Sequence, residues 1–323
     1  MSIKIIYFEN ASIEMREILD KYSSEDMYIN YWTDLDEIGK KHALEEAEYL
    51  ITASYPITRE LLQQAKKVKL IQKTGSGVDN IDLLAADQFD IKVANTVGIN
   101  TTSVVEATFG MILSLYRKLH YLDRLTKNGE WKMFEYRSSM YEISGKIHGI
   151  IGMGHIGKKV AELSQNFGAN ILYYDAHRLS TTEETERGFL FKSLDELLVQ
   201  ADIISLHIPL LPSTENLISK RELSLMKPTS ILVNVARGKI VNELALAEAL
   251  KSKRLLGAAI DTWAHEPVNA DNPLLELDNV LATPHIAGGT RDALEKVLAI
   301  AFENIRKVEN GVDPNNLVNV PVA

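Results

Sequence analysis

Three residues in the second half of the sequence, Arg237, Glu266 and His285, form a set that could act on a carbon beside a carboxylate. The planar guanidinium of an arginine binds a carboxylate and polarises a neighbouring carbonyl. A histidine exchanges a proton near neutral pH, which suits hydride transfer at a carbon that bears oxygen. A glutamate can fix the tautomer of that histidine and favour its protonated form. Singly, each residue also has an ordinary structural explanation, and His265 is a rival base.

A glycine turn, Gly152-Met-Gly-His-Ile-Gly157, follows an apolar segment and precedes a helical one. The first glycine permits a tight turn, Gly154 lets the backbone approach a pyrophosphate, and Gly157 lets the helix pack close to the strand. Asp175 ends the next apolar segment, where its carboxylate suits the hydroxyls of an adenosine ribose and repels a 2′-phosphate. The pattern predicts a dinucleotide site that prefers NAD.

Strands and helices must alternate along the chain to position these residues, which is typical of parallel α/β sheets. The first part has predicted strands at Ile3–Phe8, Met27–Tyr31, Tyr49–Thr52, Leu70–Lys73 and Ile91–Ala94. Six more begin with the glycine turn, at Ile147–Ile151, Asn170–Tyr174, Ile203–Leu206, Ile231–Asn234, Leu256–Ile260 and Val280–Ala282. Because ligands bind at the carboxyl ends of parallel strands, we expect the segments after the last three strands to converge at one edge.

Predicted helices separate most of these strands. They lie at Ser12–Lys21, Leu35–Glu46, Thr58–Ala65, Asp79–Ala86, Ser103–Leu119, Lys158–Phe167, Leu194–Gln200, Arg221–Met226, Glu243–Lys251 and Ala293–Glu309. The last helix has an apolar face that must pack on another element, and the first domain is one candidate. The dinucleotide domain is therefore predicted to be inserted between two parts of the first domain.

Composition excludes several other classes of protein. A length of 323 residues allows two domains, and a net charge of −9 disfavours nucleic acid or an anionic membrane as a partner. The absence of cysteine excludes disulfides, thiolate catalysis and cysteine-ligated metal, and we expect no metal site. The first apolar run is too short for a signal peptide or a membrane span. We expect a cytoplasmic protein.

The motifs and their order resemble those of the D-isomer-specific 2-hydroxyacid dehydrogenase family over essentially the whole chain. The matching stretches are 74–82, 95–100, the Gly152–Gly157 turn with Asp175, 207–210, 234–238, 261–267 and 283–288. The resemblance implies an α/β fold with two doubly wound parallel-sheet domains. These would be a flavodoxin-like substrate domain, 1–101 with 293–323, and an inserted Rossmann NAD-binding domain, 102–292.

The resemblance also implies a role for each site residue. Arg237 would bind the substrate and His285 would be the acid/base supported by Glu266, so His285 is preferred to His265. The backbone N–H groups of Ser76, Gly77 and Val78 would bind the substrate carboxylate, and Ser76 would also reach the cofactor. The remaining cofactor residues would be Gly152, Gly154, His155, Ile156, Gly157, Asp175, Ile208, Pro209, Val235, Ala236, Asp261 and Gly288.

We predict NAD as the cofactor and a small D-2-hydroxy acid or its 2-keto acid as the substrate. His177 and Arg178 could accept a 2′-phosphate if they turned inward, but beside Asp175 they are interpreted as solvated loop residues. The segment Leu50–Pro56 lacks the arginine that phosphoglycerate-specific members tend to place there, and we expect no regulatory domain after Ala323. We therefore expect a 2-keto acid reductase for an unphosphorylated acid.

Alternatives to this hypothesis remain. D-3-phosphoglycerate dehydrogenase is the enzymatic one, and an NAD(H)-sensing or corepressor-like interaction protein is the other. The family implies a homodimer, with Ser103–Leu119 at the predicted interface. The stretch 132–142 is interpreted as a packing loop or subunit contact; the alternative is a pocket wall in which Arg137 contacts an anion.

Overall fold

The computed structural model describes residues 2–318, which divide into two compact units. One unit contains the residues up to Asn100 together with those from Arg291 onward, and the other is Thr101–Thr290. The predicted domain ranges include residues 1 and 319–323, which lie outside the described residues. The functional assignment of the two ranges stays a prediction.

The elements of both units alternate between strand and helix. The strands are β1 (Ile3–Tyr7), β2 (Met27–Tyr31), β3 (Tyr49–Thr52), β4 (Leu70–Lys73), β5 (Lys92–Ala94), β6 (Ile147–Ile151), β7 (Asn170–Tyr174), β8 (Phe189–Phe191), β9 (Ile203–Leu206), β10 (Ile231–Asn234), β11 (Gly257–Ile260) and β12 (Val280–Ala282). The α-helices are α1 (Ile13–Tyr22), α2 (Glu37–Glu46), α3 (Arg59–Gln64), α4 (Leu83–Gln88), α5 (Thr101–Tyr116), α6 (Leu119–Lys127), α7 (His155–Asn166), α8 (Thr181–Arg187), α9 (Leu194–Gln200), α10 (Lys220–Leu225), α11 (Glu243–Lys251) and α12 (Arg291–Glu309).

The first unit is a parallel sheet in the order β2-β1-β3-β4-β5, which is the flavodoxin-like order. Each of its first four helices begins after a Ser, Thr or Asp whose side chain accepts an N–H of the first turn. The capping residues are Ser12, Asp36, Thr58 and Asp82. Since a cap lies outside its helix, these helices start one or more residues after their predicted starts.

Helix α12 packs on the sheet of the first unit. Its buried residues Leu298, Phe302 and Ile305 join a core cluster that contains Ile5 and Tyr49. The hydroxyl of Tyr49 also donates a hydrogen bond to a helix carboxylate, that of Glu309. The sequence predicted the first domain as one candidate partner for the apolar face of this helix, and the structure confirms that the face packs there.

The second unit is a seven-stranded parallel sheet in the order β12-β11-β10-β9-β6-β7-β8. It is doubly wound, because β7 and β8 extend the sheet on one side of β6 and β9 to β12 extend it on the other. The two sheets confirm the predicted α/β class with two doubly wound parallel-sheet domains. Within residues 2–318, no helix combines the length and the apolar character that crossing a membrane requires.

Several details of the second unit differ from the prediction, among them the following. Strand β8 and helix α8 were not predicted, because β8 has only three residues and α8 is polar throughout. The predicted helix Ser103–Leu119 ends at Tyr116, since Lys118 adopts a left-handed conformation with φ +52° and α6 begins anew. Helix α7 begins at His155 rather than at Lys158, so the last glycine of the turn lies inside the helix.

Candidate active site

The segments that carry the predicted catalytic residues follow three neighbouring strands. Strands β10, β11 and β12 lie side by side and parallel, so their carboxyl ends share one edge of the sheet. Arg237 comes three residues after the end of β10, Glu266 six after β11 and His285 three after β12. The parallel sheet thereby collects residues that are up to 48 positions apart in the sequence.

His285 and Glu266 form a hydrogen-bonded pair, with Nδ1 of the imidazole 2.8 Å from Oε2 of the carboxylate. The other oxygen of Glu266 accepts the backbone N–H of Trp263 at 2.9 Å. Partial burial raises the pKa of Glu266, but the hydrogen bonds from His285 and Trp263 and the charges of His285 and Arg237 outweigh it, so the pKa lies below its usual value. The carboxylate is therefore ionised at neutral pH. The side chain of the rival base, His265, is exposed.

The backbone of His285 lies in the left-handed region, with φ +53°, which is unusual for a residue with a Cβ. Its N–H donates to the carbonyl oxygen of Asp261 at 2.7 Å. The Asp261 carboxylate, which is 0% exposed, accepts the Thr283 hydroxyl at 2.6 Å and the N–H groups of Ile286 and Ala287 at 2.9 and 3.0 Å. Asp261, predicted to line the nicotinamide, thus fixes the segment on both sides of His285.

The turn that carries Arg237 is fixed by the side chain of Asn234. Its amide nitrogen donates to the carbonyl oxygen of Arg237 at 2.9 Å, and its amide oxygen accepts the N–H of Ala236 at 3.1 Å. Gly238 then packs directly on the 263–264 backbone, because a Cβ there would lie 1.9 Å from the carbonyl carbon of Trp263. Only glycine allows this approach, and it brings the arginine turn against the segment that holds Glu266.

The glycine turn brings β6 and α7 close together. Gly152 has φ +99°, and a Cβ on Gly157 would lie 1.9 Å from the carbonyl oxygen of Gly152, so helix and strand meet closely. Helix α7 starts after Gly154 without a side-chain cap, and a Cβ on Gly154 would touch nothing within 4 Å. The space beside Gly154 is therefore open and the start of the helix has no side-chain cap, two features that an anion site at a helix N-terminus requires.

Asp175 lies directly after β7, beside this turn. Its Oδ2 accepts the N–H of Met153 at 2.6 Å and its Oδ1 accepts the N–H of His177 at 2.7 Å. The side chain of His177 is exposed, as predicted for a loop residue. Arg178 is also exposed in this loop, as predicted, and in addition it pairs with the carboxylate of Glu184 at 2.8 Å.

The other predicted cofactor residues of the second unit also follow strand ends or begin α7. His155 is exposed at the start of α7, and Ile156 is half-buried beside it. The remaining five are Ile208 and Pro209 after β9, Val235 and Ala236 after β10, and Gly288, which is half-buried beyond β12.

The predicted substrate residues Ser76, Gly77 and Val78 belong to the first unit and follow β4. Asn95 donates its amide to the carbonyl oxygen of Ser76 at 2.8 Å, which fixes this loop to the end of β5. Ser76 is exposed, whereas Gly77 and Val78 are half-buried. Their N–H groups stay candidates for the substrate carboxylate.

The sequence analysis missed two charged residues at this edge of the first unit. Glu9, after β1, accepts the N–H groups of Ala53, Ser54 and Tyr55 on one oxygen, at 2.7, 2.7 and 3.2 Å. Lys73, which is only 8% exposed, donates to the carbonyl oxygen of Ala53. The sequence could have identified both residues by their positions at the ends of β1 and β4, because parallel strands of one sheet bring their carboxyl ends to the same edge.

Comparisons with known proteins agree on one family. Residues 109–287, more than half of the chain, match the family described as D-isomer specific 2-hydroxyacid dehydrogenase, NAD binding domain. The glyoxylate reductase of Korarchaeum cryptofilum is 35% identical over 304 residues, covering 92% of this chain and 91% of that protein. The D-lactate dehydrogenase of Aquifex aeolicus, solved with NAD and lactic acid, has 29% identity and a TM-score of 0.84 over 98% of this chain and 100% of that one.

A third relative differs in length. The D-3-phosphoglycerate dehydrogenase of Methanocaldococcus jannaschii is 38% identical over 279 residues, which cover 86% of this chain but 53% of that protein. The chain thus spans about half the length of this relative. Together the comparisons confirm the predicted family and its NAD-binding domain.

Proposed function

The chain belongs to the D-isomer-specific 2-hydroxyacid dehydrogenase family, and from that premise we propose that it reduces a small, unphosphorylated 2-keto acid to the D-2-hydroxy acid with NADH. The observation that carries this proposal is the hydrogen-bonded pair of His285 and Glu266 at the strand edge that also carries Arg237. An acid/base, its orienting carboxylate and a carboxylate-binding cation are the groups that the reaction requires.

Each of these three residues has a separate task in the proposed reaction. Arg237 binds the substrate carboxylate and polarises the adjacent carbonyl. Ionised Glu266 accepts the Nδ1 proton of His285, so that Nε2 is the nitrogen that gives a proton to the carbonyl oxygen in reduction and takes it back in oxidation. When bound, NAD supplies the carrier of the two electrons and the hydrogen that accompanies them.

The geometry of the glycine turn supports the proposed position of the cofactor. We propose that the N–H groups at the start of α7 bind the pyrophosphate and that Asp175 binds the adenosine ribose. The adenosine would lie beside Ile208 and Pro209, and the nicotinamide beside Val235 and the residues that neighbour it. Ser76 to Val78 belong to the same proposal as a source of N–H groups for the substrate carboxylate.

The end of β3 supports an unphosphorylated substrate. The backbone N–H groups there, from Ala53 to Tyr55, are an anion-binding arrangement that the carboxylate of Glu9 already occupies. The ring of Tyr55 is stacked on Phe8 at 4.6 Å and meets Trp32 at 5.8 Å, which fixes it as an apolar surface. A small keto acid such as glyoxylate, the substrate that gives several relatives their name, fits this chemistry.

One observation favours D-3-phosphoglycerate dehydrogenase as a second candidate. Lys73 brings a buried ammonium group to the same edge of the first unit, where a phosphate would need a cation. The 38% identity to a protein named for that activity points in the same direction. The two candidates differ in one chemical respect, the phosphate on the substrate.

The experiment that separates them compares one acid with and without its phosphate. We would measure NADH oxidation with glyoxylate, hydroxypyruvate and 3-phosphohydroxypyruvate, using the wild-type protein and a Lys73→Met variant. The proposal expects turnover with the first two acids and a much lower kcat/KM for the third. A preference for the phosphorylated acid that disappears in Lys73→Met would instead establish the second candidate. Negligible rates with every acid would favour the NAD(H)-sensing alternative.

The homodimer and the cytoplasmic location stay predictions. Trp131, Met133 and Phe134 are exposed, and the guanidinium of Arg137 lies over the Phe134 ring at 4.6 Å. We propose that these residues, from Trp131 to Arg137, contact a second subunit. Sedimentation equilibrium of the wild-type protein and of a Phe134→Ser variant tests it: the wild type should be a dimer, and an equally strong dimer of the variant would count against this contact.

A further inference from the structure

Arg178 is held in a two-point ion pair three residues after Asp175. Its Nε and Nη2 each donate to one oxygen of Glu184, both at 2.8 Å. The Glu184 side chain is 11% exposed, whereas that of Arg178 is 57% exposed, so the pair reaches from the surface loop into the unit. Two parallel charge-assisted bonds fix the orientation of a guanidinium as well as its distance.

Two aromatic residues hold this pair in place, the buried Tyr173 at its Glu184 end and the half-buried Phe191 at its Arg178 end. The hydroxyl of Tyr173 donates to Glu184 Oε1 at 2.5 Å and accepts the N–H of Leu179 at 3.0 Å. The guanidinium lies over the ring of Phe191 at 4.9 Å, and that ring meets Tyr173 edge-on at 5.4 Å. The hydrogen bonds from Arg178 and from Tyr173 lower the pKa of Glu184 to about 2, so this carboxylate is charged at neutral pH.

The two charged residues near the end of β7 therefore have different partners. The carboxylate of Asp175 bonds to the N–H of Met153 in the glycine turn. Arg178 bonds instead to helix α8, through Glu184. The same helix pairs Glu183 with Lys158, the basic residue nearest the glycine turn, at 2.7 Å. Helix α8 thus pairs with Lys158, which directly follows the glycine turn, and with Arg178, three residues after Asp175.

We propose that Glu184 is a specificity-determining residue for the cofactor, because it withdraws Arg178 from the ribose 2′ position and so adds to Asp175 in excluding NADPH. The inference rests on the proposed cofactor site. A 2′-phosphate would need a cation to offset its charge, and an arginine fork is well suited to that task. Here the guanidinium of Arg178 is bonded to the carboxylate of Glu184, and Asp175 repels the phosphate. Selectivity for NAD thus has two independent sources.

The first test measures equilibrium binding of NADH and NADPH without substrate, by nucleotide fluorescence. Glu184→Gln keeps an acceptor for the Tyr173 hydroxyl but removes the charge that holds Arg178. In an Asp175→Asn background, adding Glu184→Gln should tighten NADPH binding about tenfold or more, the effect of one charge-assisted hydrogen bond, and leave NADH within about twofold. Glu186→Gln, an exposed residue on α8, is the matched control and should change neither affinity.

Two further variants test whether Arg178 is the group that binds NADPH more tightly. Adding Arg178→Met to the Asp175→Asn, Glu184→Gln pair should return NADPH binding to the level of Asp175→Asn alone. In the otherwise wild-type protein, Arg178→Met should alter neither NADH nor NADPH binding, because the guanidinium is engaged elsewhere. This single variant keeps the test meaningful even where Glu184→Gln fails to fold, which circular dichroism would reveal.

The outcomes are distinct from those that test the proposed function. Tight NADPH binding that persists after Arg178 is removed would overturn the inference, as would weaker NADPH binding by the Arg178→Met single variant. An unchanged NADPH affinity in the folded double variant would overturn it as well. Failure of the wild-type protein to bind NADH would instead reject the proposed cofactor site itself.

Discussion

We expect a buried chain of hydrogen bonds in the second unit to make the stability of the protein depend on pH. His148, in β6, is 0% exposed; its Nδ1 lies 2.6 Å from the Ser164 hydroxyl and its Nε2 lies 2.8 Å from the Ser205 hydroxyl. Ser205 also lies 2.9 Å from Nε2 of His207. Burial, and then the nearby His207, lower the pKa of His148 to about 3.

The direction of the effect follows from this lowered pKa. Between about pH 6.5 and pH 3 the unfolded chain binds a proton at His148 and the folded protein does not, so the free energy of unfolding falls as the pH decreases through this range. The contribution is fully present above the unfolded pKa. At pH 5, one and a half units below it, the loss from this residue is about 2 kcal/mol relative to pH 7.

Urea unfolding at pH 7 and pH 5, followed by tryptophan fluorescence, measures this loss. In His148→Gln, which keeps hydrogen-bonding capacity without titrating, the decrease between the two pH values should be about 2 kcal/mol smaller than in the wild type. His177→Gln removes an exposed histidine of the same unit and should leave the decrease unchanged. An equal decrease in wild type and His148→Gln would refute the assignment of the pH dependence to this buried imidazole.

Three substitutions near the site have equally definite outcomes. Asp261→Asn leaves one N–H of the segment around His285 without an acceptor, so the free energy of unfolding should fall by about 1–3 kcal/mol, and kcat should fall with it. An unchanged melting temperature would show that Asp261 does not hold this segment in place. Glu266→Gln removes the charge that orients His285 and should lower kcat about 10²-fold in NADH oxidation, with NADH affinity unchanged; a loss of NADH affinity would point to a different role. Gly157→Ala places a Cβ 1.9 Å from the carbonyl oxygen of Gly152, so NADH titration should detect strongly weakened binding, and normal binding would show that the turn adjusts.

The strands could be predicted well because most are central strands of parallel sheets. Every residue of Ile203–Leu206 and Ile231–Asn234 is buried. Because helices cover both faces of a parallel sheet, such strands consist of uninterrupted runs of mostly apolar side chains. Such runs are visible in the sequence, and the predicted bounds of both strands agree with the observed ones. β8 escaped prediction because it is an edge strand in which Leu190 is exposed, which leaves too short a pattern.

The site was predictable only in part. Its segments could be placed because parallel strands align their carboxyl ends, whatever the length of the crossovers between them. The contacts that fix the side chains join residues far apart: Asp261 reaches Ala287 across 26 positions, and His148 reaches Ser205 across 57. No local pattern marks such pairs. The ion pair between Arg178 and Glu184 likewise escaped prediction, because Glu184 lies on a helix that the sequence pattern did not reveal.

The most direct test of the central claim is the turnover of a His285→Gln variant in NADH oxidation with glyoxylate, measured beside its NADH affinity. The claim is that His285, oriented by Glu266, exchanges the substrate proton at this strand edge. We expect kcat to fall by about 10³-fold or more while the NADH dissociation constant stays within about twofold. A variant that turns over within about tenfold of the wild-type rate would contradict the account, because another group would then supply the proton.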